Sequence, residues 1–232
     1  MDKFSFFSRT NPNRIAEAGA VAVIGLGRFG SALALELMAN GTEVLGIDDD
    51  EDIVQSHNGL LTHVVRADST KEETLRQLAV PEFERVVVAI GGDIQASILT
   101  SALVLKMDIP TVWAKAVTDQ HGEILTRLGV HHVVFPEKDM GRRVAHLVRG
   151  AMQDYIEVGE NFAIVKTTPP KSLLGLRLGD TKVRATHGVT VTAFDRKGAG
   201  WTYTTLDTVL EANDIILVAG APDRVESFSQ LR

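Results

Sequence analysis

Six residues near the start of the chain, Gly25-Leu26-Gly27-Arg28-Phe29-Gly30, follow the pattern G-x-G-x-x-G. Each type at that spacing has a physical use. Gly25 permits a tight turn. Gly27 carries no side chain, so a phosphate can approach the backbone. Gly30 lets a following helix pack close to the preceding strand. The start of that helix presents unpaired N–H groups and roughly half a positive charge to an anion. Arg28 and Phe29 fill the variable positions. The Arg28 guanidinium can fork onto phosphate oxygens, or simply stand exposed at a helix start.

A second element completes the pattern. Asp48 closes the next apolar run, 18 residues after Gly30 and 23 after Gly25. That is close to the spacing of roughly 20 residues expected for the acid that accepts ribose hydroxyls. Its charge would repel a 2′-phosphate, which disfavours NADP. Asp49 and Asp50 extend the acidic cluster, as solvated surface or as a further bar to a phosphorylated ribose.

The elements that must hold these residues alternate. Short β-branched runs fall at 21–24, 43–47, 63–65, 85–90, 111–114 and 132–135. Helical patterns fall at about 28–40, 50–57, 71–79, 93–107 and 118–128. Strand–helix alternation implies a parallel sheet with helices on both faces. VAVI and VVVAI are continuously apolar, as doubly covered strands require. The expected fold class is therefore α/β, a Rossmann-type doubly wound parallel sheet with its ligand crevice at the carboxyl ends of the strands.

Residues at those ends extend the candidate site. Asp68 or Ser69 can contact adenine or ribose, or cap the helix beginning near Lys71. Ile90-Gly91-Gly92 lets backbone approach a nucleotide. Lys115 can neutralise phosphate or stand exposed at a strand end. Glu137 can join Mg²⁺ or Ca²⁺ against phosphate oxygens, or serve only as a first-turn helix acid.

A helix at about 138–153 carries Met140, Val144, Leu147, Val148 and Met152, which reads as one buried stripe. Beyond it, strands at about 161–167, 189–195, 200–205 and 214–219 and a helix after Pro222 make a small α+β domain. The expected division is a tail at 1–18, a nucleotide-binding domain at 19–148 and a C-terminal domain at 149–232.

Composition bounds the rest. The chain has 232 residues, 24 Lys+Arg against 30 Asp+Glu, and no cysteine. The net charge of −6 argues against a broad nucleic-acid-binding face. Disulfide and thiol chemistry are excluded. No run of about 18 apolar residues offers a membrane span, and the tail lacks a signal-peptide core, so a cytoplasmic protein is expected. Phe4, Phe6 and Phe7 in the tail either pack on the body or anchor a partner.

Four ordered stretches carry a family resemblance: AVIGLGRFG, AIGGDIQAS (Ala89–Ser97), WAKA (Trp113–Ala116) and PEKDMG (Pro136–Gly141). They resemble the cytosolic regulatory subunits of the Trk/Ktr bacterial potassium uptake systems, especially the nucleotide-gated Ktr subunit, whose domain is called RCK. The resemblance runs from about residue 19 to the end. It implies ATP or ADP as ligand, with Arg28 on the outer phosphates, Asp48 and Asp50 on ribose, and Asp68 and Ser69 near the base. Ile90, Gly91, Lys115 and His121 would line the remaining pocket, and Glu137 would join a cation site at a dimer interface. It also implies four dimers in an octameric ring under a membrane potassium channel or transporter subunit, at the inner face of the cell membrane. The LLGLRLGDTKVRATHG stretch resembles the RCK C-terminal domain. Some members bind cyclic di-AMP there, which points to Arg184 with Val183, Ala185 and Val189.

The rival readings are an NAD-dependent oxidoreductase and an NAD(H)-sensing regulator. An oxidoreductase needs a further acid/base beside the nicotinamide. The seven histidines are scattered, and His131 and His132 are adjacent rather than four apart. The expectation is a binding module, not an enzyme.

Overall fold

The computed structural model of the chain describes residues 19–149 and 151–231. The three tail phenylalanines fall outside these residues. The chain divides into two compact units between Glu137 and Lys138. The expected boundary after residue 148 stands about one helix further along.

The first unit alternates strand and helix. Its strands are β1 (Val21–Ile24), β2 (Val44–Asp48), β3 (His63–Arg66), β4 (Arg85–Val88), β5 (Thr111–Lys115) and β6 (His132–Val134). Its helices are α1 (Arg28–Ala39), α2 (Glu51–Ser56), α3 (Glu72–Gln77), α4 (Ile94–Lys106) and α5 (Asp119–Leu128). The strands form one sheet in the order β3-β2-β1-β4-β5-β6, and every pairing is parallel. This is the doubly wound topology expected from the alternation.

Both faces of the sheet are packed, and the strand alternation sorts the residues. Ala22, Ile24, Val86 and Val88 join one core with Val104 of α4 and Leu125 of α5. Val21, Val23 and Val87 join another with Ala34 of α1. All four β1 residues are buried. Ile24 aligns with Ile47 on one side and Val88 on the other. The turns after β1, β2 and β4 therefore open at one edge of the sheet. β4 ends at Val88, so Ile90, expected inside a strand, belongs to the loop at that edge.

Helix α6 spans Pro136–Arg149 rather than 138–153. Proline suits its first position, where the missing N–H would have no partner. The expected buried stripe is corrected: no residue of α6 is buried. Met140, Val144 and Val148 are exposed, Val148 by 80%. Leu147 and Met152 do pack on the core of the second unit, but Met152 lies beyond the helix end. Regular spacing of apolar residues reveals a face, not what covers it.

The second unit is an antiparallel sheet in the order β10-β9-β11-β8-β7. Its strands are β7 (Asp154–Glu157), β8 (Ala163–Thr167), β9 (Val189–Arg196), β10 (Gly200–Tyr203) and β11 (Ile215–Gly220). Short helices α7 (Leu178–Thr181) and α8 (Val183–His187) precede β9, and α9 (Pro222–Ser229) closes the chain. β7 was not expected: DYIE offers little β-branched signal, and only Tyr155 of it is buried. Among the described residues no helix is long and apolar enough to cross a membrane.

Candidate functional site

The glycine loop leaves β1 and enters α1 at the open edge of the parallel sheet. Gly25 N–H donates to the Ile47 carbonyl at 2.7 Å, and Ala89 N–H donates to the Ile24 carbonyl at 2.7 Å. The loop is thus zipped to the strands on both sides. Gly25 holds φ +93°, a conformation that L side chains rarely adopt. A Cβ on Gly30 would lie 1.9 Å from the Gly25 carbonyl oxygen. A Cβ on Gly27 would meet nothing within 4 Å. The first two facts concern the fold. The third leaves open space directly over the start of α1, where unpaired N–H groups favour an anion.

Asp48 ties this loop to the end of β2. Its Oδ2 accepts from Leu26 N–H at 2.6 Å, and its Oδ1 accepts from Asp50 N–H at 3.0 Å. A carboxylate has about four acceptor sites, so capacity remains for ribose hydroxyls. Asp50 has a different task. It is the N-cap of α2, accepting from Asp52 N–H at 2.8 Å and Ile53 N–H at 3.3 Å. The aspartate run therefore divides by role: Asp48 braces the loop, Asp50 caps a helix, and the Asp49 carbonyl accepts from Arg66.

These residues share a cleft of about 380 Å³. Gly25, Gly27, Asp48, Asp49 and Asp50 line it. Asp68, Ser69, Ile90, Gly91 and Gly92 line it as well. Ten of the sequence-predicted residues thus come together. Asp68 is drawn into its own turn, where Thr70 donates from both its N–H and its hydroxyl. The Thr70 hydroxyl and Lys71 hold the Asp68 carboxyl down to about 2. Ser69 is buried, its hydroxyl 2.9 Å from that of Thr100 on α4. Neither caps α3, whose N-cap is Lys71. Asp93 was missed: it lines the cleft and caps α4 through Ala96 N–H. The Gly-Gly-Asp order before an apolar helix is the signal that marks it.

A second group gathers at the ends of β5 and β6. The Lys115 side chain is 11% exposed, and its Nζ lies 2.6 Å from Glu137 Oε1. The same Nζ stands 5.9 Å from the centre of the Phe29 ring. A Cβ on Gly91 would come within 3.1 Å of it. The Lys115 hydrogen bond holds the Glu137 carboxyl below its ordinary range, with a smaller contribution from the charge of Arg28. Arg28, Phe29, Lys115 and Glu137 thus form one charged cluster beside the loop. Among the described residues of this one chain no three metal-ligating side chains gather.

Three expected residues stand elsewhere. His121 is 2% exposed, its Nδ1 accepts from Val117 N–H at 3.4 Å, and burial lowers its pKa. It is packed inside rather than on the cleft wall. Val183 and Val189 belong to the buried core of the second unit. Arg184 and Ala185 remain exposed, with Arg184 Nε 3.1 Å from Thr190 Oγ1.

A parallel sheet with a phosphate-type glycine loop, followed by a small antiparallel unit, defines a two-domain TrkA-type protein. The TrkA-N domain model matches residues 21–136 and the TrkA-C domain model matches residues 162–231. The chain belongs to the Ktr family of potassium uptake proteins. It is 36% identical over 210 residues to Ktr system potassium uptake protein C of Bacillus subtilis (strain 168), covering 90% of this chain and 95% of that protein. The fold is that of the GsuK RCK domain, with a TM-score of 0.63 at 19% identity over 91% of this chain and 47% of that one. The GsuK channel bound to NAD matches with a TM-score of 0.63 at 18% identity, over 92% and 39%. This chain spans less than half the length of those GsuK chains. The relatives are uptake proteins rather than enzymes, so the oxidoreductase alternative falls away.

Proposed function

We propose that this chain is a cytosolic regulatory subunit that binds an adenine nucleotide and controls a membrane-embedded potassium channel or transporter subunit. The observation that carries the nucleotide reading is the open space at Gly27 beside the Asp48–Leu26 clasp. It offers a phosphate subsite and a ribose acid on adjoining turns. ATP or ADP fits better than NAD(H). Arg28 and the Lys115–Glu137 pair leave a net positive charge beside the glycine loop, suited to the outer phosphates of a triphosphate, where a dinucleotide carries an uncharged ribose. A divalent cation there would combine Glu137 with phosphate oxygens of the nucleotide. NAD(H) sensing is the second reading, because the GsuK channel matched here is bound to NAD.

Control of a pore requires that the nucleotide bind two assembly states unequally. A preference of some tens-fold, about 2 kcal/mol, is enough to be useful. The proposed assembly is a homodimer repeated four times in an octameric ring at the inner membrane face. The expected mass of the purified protein with ATP is then near eight times the 25.2 kDa chain. A stable monomer would remove the ring. Cyclic di-AMP, if it binds the C-terminal domain, would rely on Arg184 and Ala185.

The nucleotide reading is tested by equilibrium binding of ATP, ADP, NADH and NADPH to the full chain. ATP and ADP are expected to bind most tightly. Arg28→Ala should weaken ATP by about tenfold, the value of one charge-assisted hydrogen bond, with adenosine nearly unchanged. Equal loss for ATP and adenosine would deny Arg28 a phosphate role.

A further inference from the structure

Ser31 and His57 have no part in the site as described, yet their side chains meet. Ser31 lies in the first turn of α1, one residue past the glycine loop, and His57 is the C-cap of α2. Ser31 Oγ is 2.6 Å from His57 Nε2. The histidine is 7% exposed. Its Nδ1 faces the Ile53 carbonyl at 2.7 Å. A carbonyl only accepts, so Nδ1 carries the proton in the hydrogen-bond network. In the neutral ring Nε2 is then an acceptor, and the Ser31 hydroxyl donates to it.

The two helices joined by this bond bear opposite ends of the proposed nucleotide site. The first turn of α1 supplies the N–H groups for phosphate. The start of α2 carries Asp50 and adjoins Asp48, the acid for ribose. Asp48 links the two turns above, through Leu26 N–H. Ser31–His57 is a second tie, between the helices that follow those two turns. One tie leaves a hinge, whereas two fix both distance and rotation.

We infer that Ser31 and His57 are a positioning pair that holds the phosphate cradle in register with the ribose acid. This rests on the nucleotide reading above. A ligand that spans both ends needs the register, because each of its charge-assisted bonds depends on geometry. Adenosine engages the ribose end alone and is indifferent to it. A merely structural bond would weaken both ligands alike.

The test compares adenosine with whichever of ATP and NADH the wild-type full chain binds more tightly. Ser31→Ala and His57→Phe are each expected to weaken the phosphate-bearing ligand by about five- to tenfold, the value of roughly one hydrogen bond. Adenosine should change by less than about twofold. His57→Gln should restore most of the loss, since its amide oxygen offers an acceptor in place of Nε2. Ser31→Ala removes one hydroxyl from a half-buried position, so it tests the pair even where the ring substitution perturbs folding. Unchanged affinity for the phosphate-bearing ligand, or equal loss for both ligands, overturns the inference and leaves the nucleotide reading standing. A wild-type chain that binds no adenine nucleotide overturns both.

Discussion

Gly27→Ala is expected to weaken nucleotide binding severely while leaving the protein folded, and Gly30→Ala to damage both. The two glycines sit three residues apart in one loop, yet their surroundings differ. The Gly27 position opens to empty space, so its methyl group strikes no protein atom. Its cost to the fold is that of alanine at an N-cap, about 1 kcal/mol or less. A phosphate seated on the α1 start would meet that methyl directly. Pushed away from two N–H groups, it loses about 1.5–3 kcal/mol for each charge-assisted bond. The affinity should fall by about 100-fold or more. Gly30→Ala instead drives a methyl to 1.9 Å from the Gly25 carbonyl and 3.1 Å from Ala89 Cβ. Neither neighbour is the loose end of a flexible side chain, so the loop must shift. Overpacking of this kind costs about 1–3 kcal/mol, and binding fails because the cradle itself has moved. Thermal melts and nucleotide titrations on both variants separate the outcomes. If Gly27→Ala binds as the wild type does, the loop is a structural turn and the cleft has another use.

The parallel unit was legible in the sequence because its signals agree at several levels. VAVI and VVVAI are apolar throughout, the first runs into Gly25 and the second into Gly91-Gly92, and the crossover rules leave few topologies. The Asp48 clasp was legible only in part. Spacing picked out the acid, but the division of labour within Asp48-Asp49-Asp50 depends on which backbone N–H each carboxylate meets. Three identical side chains in a row cannot be told apart before the turn is built. His57 shows the same limit across a longer distance. It is 26 residues from Ser31, and nothing in either local pattern announces the contact. The α6 stripe misled for a different reason. Met140, Val144 and Val148 have helical spacing, and the helix does form there, but burial requires a neighbour that sequence periodicity does not describe.

Removing Arg196 should destabilise the C-terminal unit more than most single changes, with a distinctive dependence on pH. Asp214, just before β11, is 1% exposed. Arg196, at the end of β9, grips it with two parallel bonds, Nε to Oδ1 at 2.9 Å and Nη2 to Oδ2 at 2.7 Å. Glu211 N–H adds a third at 2.8 Å. Above all the Arg196 hydrogen bond, then the Glu211 N–H and the Arg196 charge, hold the Asp214 carboxyl below its ordinary range against the opposing effect of burial. Arg196→Leu leaves that carboxylate buried with a backbone donor and no cation. Breaking the pair leaves a buried carboxylate without its cation, and the one-third exposure of the Arg196 side chain lets solvent screen part of that loss. In the wild type the folded pKa of Asp214 is depressed. Its contribution is therefore present above the unfolded value of about 3.9 and is lost as pH falls through the folded value. In the variant the opposing effect of burial dominates and the folded pKa rises above the unfolded one. The penalty is then full at neutral pH and relaxes as acid protonates the group. The stability gap between the two proteins should be widest near pH 7 and narrow toward about pH 4. Hydrogen exchange of the β9 and β11 amides in the full chain reads that gap within the C-terminal unit. A gap that stays constant over that range would mean that the buried carboxylate is not its source, and that Arg196 matters instead through its bonds to the Val209 carbonyl and Glu211.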